Sequence, residues 1–170
     1  MNRPAAAWWL FVGYGFFVVY GSLVPLDYKA LPLDVALERF RHIPFLHLGL
    51  ESRADWVANG VLYAPLALLA ARLGGRLGLP AVLAVGAAVL LCSALAVAVE
   101  FTQLFFPART VSQNDILAEG LGSLLGAAAA PFLGAWITRL GQAWRQGGQR
   151  LLPRLLELYI DLPAAVLLSL

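Results

Sequence analysis

Carboxylates, amides and hydroxyls recur at helical spacing inside otherwise apolar stretches. Asp55, Asn59 and Tyr63 stand four residues apart, Ser93, Glu100 and Gln103 seven and three apart, and Asp115, Glu119 and Ser123 again four apart. Residues three, four or seven apart share one face of a helix, so each set is a polar stripe. Between the second and third sets lies a short connection, Pro107 to Asn114, that carries Arg109 and Ser112. The candidate ligand-binding residues are therefore Asp55, Asn59, Glu100, Gln103, Arg109, Ser112, Asp115 and Glu119. Arg109 offers a planar fork that binds a carboxylate at two points, and Arg53 is a second candidate for that task. Four carboxylates around one or two arginines favour a cation, a proton site, or a hydroxyl-rich or amine-bearing ligand. Carboxylates in unlike surroundings can also divide the roles of general acid and general base.

These residues must be positioned by elements suited to a bilayer. The chain has 170 residues, of which 61% are hydrophobic and 13% charged, and its mean hydropathy is +0.77. Soluble domains are only about half apolar. Apolar blocks near the ~20 residues needed to cross a bilayer occupy residues 5–24, 54–73, 79–106 and 115–140. The expected fold is all-α, a multi-pass transmembrane bundle of four spans over residues 1–140. Residues 141–170, with alternating Arg-bearing and Leu-rich segments broken by Pro153 and Pro163, are expected to form an amphipathic tail at the interface or a partial fifth span. The first block runs the full spanning length and reads as a retained helix rather than a cleaved signal. The links Gly74 to Gly78 and Pro107 to Asn114 are short, which makes neighbouring helices antiparallel.

The longest connection, Pro25 to Arg53, is not a plain linker. Asp34 to His42 has the pattern of a short amphipathic helix, with Val35, Leu37 and Phe40 apolar and Glu38, Arg39 and Arg41 polar, and Pro44 ends it. His42 and His47 read as interfacial polar residues rather than ligands. Ser112 or Asn114 is placed to cap the fourth span, with Asp115 in its first turn. Gly122 and Gly126, extended by Ala118, make a small-residue step that admits a second helix at close range. In the bilayer, a charge near the middle of a span costs about 2.5 to 3.5 kcal/mol and needs a partner or a wet cavity.

Arginine and lysine near span ends favour the cytoplasmic side. With the amino terminus inside, the inner set is Arg3, Arg72, Arg76, Arg139, Arg145, Arg150 and Arg154, against Lys29, Arg39, Arg41, Arg53 and Arg109 outside. Both termini are expected in the cytoplasm, and the eight candidate residues then fall at or near the outer ends of spans two to four. Trp8, Trp9, Trp136 and Trp144 read as anchors at the cytoplasmic interface. The basic residues are scattered, with no run interleaved with aromatics, so nucleic acid is not an expected partner. Cys92 is the sole cysteine, which excludes an intrachain disulfide and a cysteine metal cluster. No metal ion or cofactor is expected.

In order and spacing these residues resemble the VanZ-like membrane proteins of bacteria. The resemblance rests on Ser22-Leu23-Val24-Pro25 closing the first span, Arg53, Asp55, Asn59 and Pro65 in the second, Glu100 and Gln103 ending the third, and Arg109, Ser112, Asp115, Gly122 and Gly126 after it. It covers most of residues 14 to 130. It implies a multi-pass protein of the bacterial cytoplasmic membrane, in a family whose name-giving members are associated with low-level resistance to teicoplanin. One position departs: the family usually carries Asn four residues after the Asp, where this chain has Glu119.

Three functions fit the sequence. The leading one is a non-enzymatic membrane protein whose outer cluster, centred on Glu100, Gln103, Arg109 and Asp115, binds an envelope component or an amphiphilic glycopeptide. The second is an enzyme acting on a lipid-linked envelope substrate, with Glu100 or Asp115 as acid or base and Arg109 on a phosphate. Against it stand the lack of a histidine partner, a nucleophile elbow or a phosphate-cradling loop, and no residue is assigned a catalytic role. The third is a structural subunit whose charges only hold helix ends together.

Overall fold

The computed structural model describes residues 3–46 and 49–133. The tail expected over residues 141–170 lies outside the described residues. Five helices follow in order: α1 (Arg3–Leu23), α2 (Leu33–Arg41), α3 (Leu50–Arg76), α4 (Ala81–Gln103) and α5 (Gln113–Leu133). No strand occurs among the described residues. Three of these helices, from Arg53 in α3, in α4 and in α5, are long and apolar enough to cross a membrane, and the apolar part of α1, Ala7–Leu23, is shorter. The all-helical, membrane-spanning architecture expected from the sequence is thus the one observed.

Local chemistry explains the turns. At the end of α3, Gly78 adopts φ +90°, a backbone conformation open to glycine but strained for other residues. It lets the Leu79 amide donate to the Gly74 carbonyl at 3.1 Å and the Gly78 amide donate to the Gly75 carbonyl at 3.2 Å. That pair of bonds is a Schellman closure, which satisfies carbonyls the helix itself leaves free. Pro80, next in line, opens α4, so α3 and α4 lie antiparallel against each other. Within α3, Pro65 has no amide to donate to the carbonyl four residues back and loosens that turn. There the Tyr14 hydroxyl of α1 donates to the Leu62 carbonyl at 3.0 Å, fastening α1 to the loosened turn.

Small residues set the distances between helices. The core where α1, α3, α4 and α5 meet contains Val18, Tyr63 and Leu66, but otherwise mostly Ala67, Ala71, Ala88, Cys92, Ala96, Ala127 and Ala130. Between α3 and α5 the backbones touch: a Cβ on Gly122 would collide with the Gly60 backbone, and one on Gly126 with that of Ala64. The small-residue step of α5 therefore meets a matching step, Gly60 and Ala64, on α3. With no water to drive helices together, such close van der Waals packing is what joins them in lipid. The large apolar side chains point the other way: Trp9, Val82 and Leu90 are 73%, 82% and 74% exposed. Exposure on that scale suits a hydrocarbon surround and would be unfavourable in water.

The loop between α1 and α3 folds across the ends of α4 and α5. The Lys29 amide donates to the Phe105 carbonyl at 2.8 Å, and Tyr28 stacks on Phe105 with centroids 6.2 Å apart. Phe40 of α2 meets Phe101 of α4 edge to face at 5.4 Å. Further along, the Gln113 amide donates to the Pro44 carbonyl at 3.0 Å and its side-chain Nε2 to the Ile43 carbonyl at 2.8 Å. Asn114 grips Leu46 from both sides, Oδ1 accepting from the Leu46 amide at 2.7 Å and Nδ2 donating to the Leu46 carbonyl at 3.1 Å. Two first-turn side chains of α5 thus hold a segment nearly 70 residues earlier in the chain.

Candidate functional site

The start of α5 organises the polar residues. Ser112 is its N-cap, and its Oγ accepts a hydrogen bond from the Asp115 amide at 3.2 Å. That is the usual use of serine at this position, since the first amides of a helix have no intrahelical acceptor. The same hydroxyl donates to Asp115 Oδ2 at 2.6 Å. Asp115 would be expected to reach back to the Ser112 amide and complete a capping box. Instead Glu100, from the last turn of α4, accepts that amide on Oε2 at 3.2 Å. Asp115, released from that task, accepts on Oδ1 from Asn59 Nδ2 of α3 at 2.7 Å.

One chain of hydrogen bonds therefore runs from α3 through Asn59, Asp115 and Ser112 to Glu100 on α4. Glu100 and Ser112 are almost fully buried, 1% exposed each, and Asp115 is half-buried. A burial this deep is tolerable for polar groups because they bond one another. The arrangement clamps the ends of three helices.

Other candidates lie elsewhere. Asp55 is exposed and makes no side-chain hydrogen bond or ion pair among the described residues, although it shares a helix face with Asn59. Glu119, one turn beyond Asp115, is buried; its carbonyl accepts from Ser123 Oγ at 2.7 Å, and its carboxylate Oε2 has no partner among the described residues. Tyr63, fully buried in the core, likewise leaves its hydroxyl without one. Among the described residues, the His, Cys, Asp and Glu side chains gather nowhere in a group of three or more suited to a metal ion.

Gln103 and Arg109 face a different space. An open cleft of about 620 Å³ lies between the α2 end of the long loop and the α4–α5 connection. Gln103 and Arg109 line it together with Arg39 and His42, and Ile43, Pro44, Leu104, Phe106, Pro107 and Val111 supply apolar walls. No acidic residue lines it among the described residues. Gln103 Nε2 donates to the Ser22 carbonyl at 2.9 Å, which fixes the amide and leaves Oε1 buried without a donor among the described residues. Arg109 Nε is also buried without an acceptor, and among the described residues the ion pairs are those of Glu38 with Arg41 and His42. Glu100 and Asp115 are thus turned into the clamp, while Arg39 and Arg109 line the cleft.

A family model described as VanZ/LLP1 matches residues 8–134, well over half of the chain. The chain belongs to the VanZ/LLP1 family. No curated protein and no solved structure matches it. The VanZ/LLP1 match takes in every residue of the clamp and of the cleft, so both belong to the family's part of the chain. The sequence pattern places Arg39 and His42 on an interfacial helix and by itself does not join them to Arg109. The signal that joins them is the pair Gln113 and Asn114, whose amide side chains tie the long loop to α5.

Proposed function

We propose that this VanZ/LLP1 family member binds an amphiphilic component of the bacterial cell envelope in the cleft beside Arg109, and that it does so without covalent chemistry. The supporting observation is the cleft itself, with cationic side chains and apolar walls at the end of a membrane-spanning helix. Apolar walls with a few convergent polar groups are the usual make-up of a ligand site. Gln103 and Arg109 contact the ligand. Asn59, Glu100, Ser112 and Asp115 hold the α4–α5 connection that carries Arg109, and so act on binding through position.

In the proposed orientation both termini are cytoplasmic and the cleft opens at the outer leaflet of the inner membrane, where envelope precursors and glycopeptides are both within reach. An amphiphilic glycopeptide such as teicoplanin is then a competing occupant, and a contribution to resistance follows from its capture. The experiment is mass spectrometry of lipids that copurify with the whole protein from bacterial membranes. Wild type is expected to enrich one amphiphile class over the bulk membrane, and Arg109→Ala to lose that enrichment while remaining folded. Identical lipid profiles for the two proteins would refute the proposal, and susceptibility of cells carrying each protein to teicoplanin tests the resistance arm.

A further inference from the structure

We infer that the cleft takes a phosphate-bearing head group with a hydroxyl beside the phosphate, a polyol phosphate on a lipid or free in solution. The inference rests on the binding function proposed above and names the chemistry of its ligand.

Charge gives the first half. The cleft is lined by Arg39, Arg109 and His42, and by no carboxylate among the described residues. Arg109 forms no ion pair among the described residues, and its Nε is buried without an acceptor. A guanidinium with donors to spare in a partly apolar setting matches the oxygens of a phosphate, which it can bridge in two-point fashion. No carboxylate forms an ion pair with Arg109 among the described residues, and Glu100 and Asp115 hydrogen-bond Ser112 and Asn59 instead.

Gln103 gives the second half. It is 4% exposed, and its amide orientation is set by its neighbour: a carbonyl, Ser22 O, lies 2.9 Å away, so the NH2 group must face it. The other end, Oε1, is an acceptor with no donor among the described residues, and a buried acceptor left empty costs free energy. An ionised phosphate oxygen cannot satisfy it, since both are acceptors. A hydroxyl can, and the residue that needs it lines the same cleft as Arg109. Donor wall and acceptor floor together select a phosphate and a hydroxyl on one head group. The apolar residues Leu104, Phe106 and Val111 are placed to receive the first carbons of a lipid.

The test uses the whole protein in nanodiscs of phosphatidylcholine, into which phosphatidylglycerol, phosphatidic acid or uncharged diacylglycerol is titrated, with native mass spectrometry reading the bound lipid. Phosphatidylglycerol is expected to bind best. Arg109→Gln and, on the exposed surface of α2, Arg39→Gln should each weaken it by at least about tenfold, the usual range for a lost hydrogen bond to a charged group. Gln103→Leu should lower phosphatidylglycerol to the level of phosphatidic acid, and Arg76→Gln, at the far end of α3, should change nothing. Glycerol phosphate added in solution distinguishes the sources: displacement of the lipid at equal concentration assigns the site to a free polyol phosphate, and lack of displacement to a lipid.

Diacylglycerol binding as well as phosphatidylglycerol, with Arg109→Gln without effect, would overturn the inference and leave the binding function standing. Equal binding of phosphatidylglycerol and phosphatidic acid that Gln103→Leu does not alter would also overturn it. Retention of no added lipid by wild type, together with no lipid enriched from bacterial membranes, would remove both.

Discussion

The amide of Ser112 donates to Glu100 Oε2 at 3.2 Å, so a carboxylate from the end of α4 occupies a position that the third residue of α5 would ordinarily fill. The two helices are thereby joined through a cap rather than only through packing. Glu100→Ala would leave the buried Ser112 amide without an acceptor and is expected to cost about 1 to 3 kcal/mol. Glu100→Gln keeps an acceptor oxygen and should lose less. Thermal unfolding of both variants in the same detergent checks the order, and an equal loss would argue against the cap.

Asn59 and Asp115 belong to one network, since Asn59 Nδ2 donates to Asp115 Oδ1 at 2.7 Å. Residues that share a hydrogen-bond network show coupling of about 0.5 to 3 kcal/mol in double-mutant cycles. Asn59→Ala and Asp115→Ala should therefore cost clearly less together than the sum of their separate losses. Asp55→Ala, on the same face of α3 but exposed and unbonded among the described residues, should be additive with either.

Ser112→Ala removes the hydroxyl that caps α5 at the Asp115 amide. A lost N-cap costs about 0.5 to 2 kcal/mol. Ser112→Thr keeps the hydroxyl and should recover most of that, which amide hydrogen exchange over the first turn of α5 would register.

Gly122→Ala drives a methyl group into the Gly60 backbone, where no flexible side chain is available to yield. Overpacking of this kind costs about 1 to 3 kcal/mol, and more where backbone must move. Gly86→Ala, whose Cβ would meet nothing within 4 Å, should be neutral or slightly stabilising. Comparison of the two melting temperatures separates a requirement for close approach from a general effect of glycine replacement.

Much of this was legible in the sequence for physical reasons. Bilayer thickness dictates the length of apolar blocks, so the helices followed from composition; α3 proved longer than its apolar block, with Leu50 to Arg53 and Gly74 to Arg76 extending the helix at either end. Gly122 and Gly126 announced close packing, though the partner surface at Gly60 and Ala64 needed coordinates. Spacing of three and four placed Asn59, Glu100 and Asp115 on helix faces. It gave no reason to separate Asp55 from Asn59, because periodicity fixes a face but not the neighbour that face meets. The excess of carboxylate in the sequence suggested an acidic site, whereas folding directs Glu100 and Asp115 into a clamp and leaves Arg109 beside Arg39 and His42. That reversal depends on Gln113 and Asn114 holding a loop from far earlier in the chain, a long-range relation with no periodic signature.

Glu100 and Arg109 divide the labour in the proposed function: Glu100 holds the α4–α5 connection, and Arg109, carried on that connection, meets the ligand. The most direct measurement is the amount of copurifying envelope amphiphile per folded protein for wild type, Glu100→Gln and Arg109→Ala. Glu100→Gln is expected to retain most of the wild-type amount despite lower stability, and Arg109→Ala to lose it at near wild-type stability. Loss in Glu100→Gln with full retention in Arg109→Ala would contradict the account.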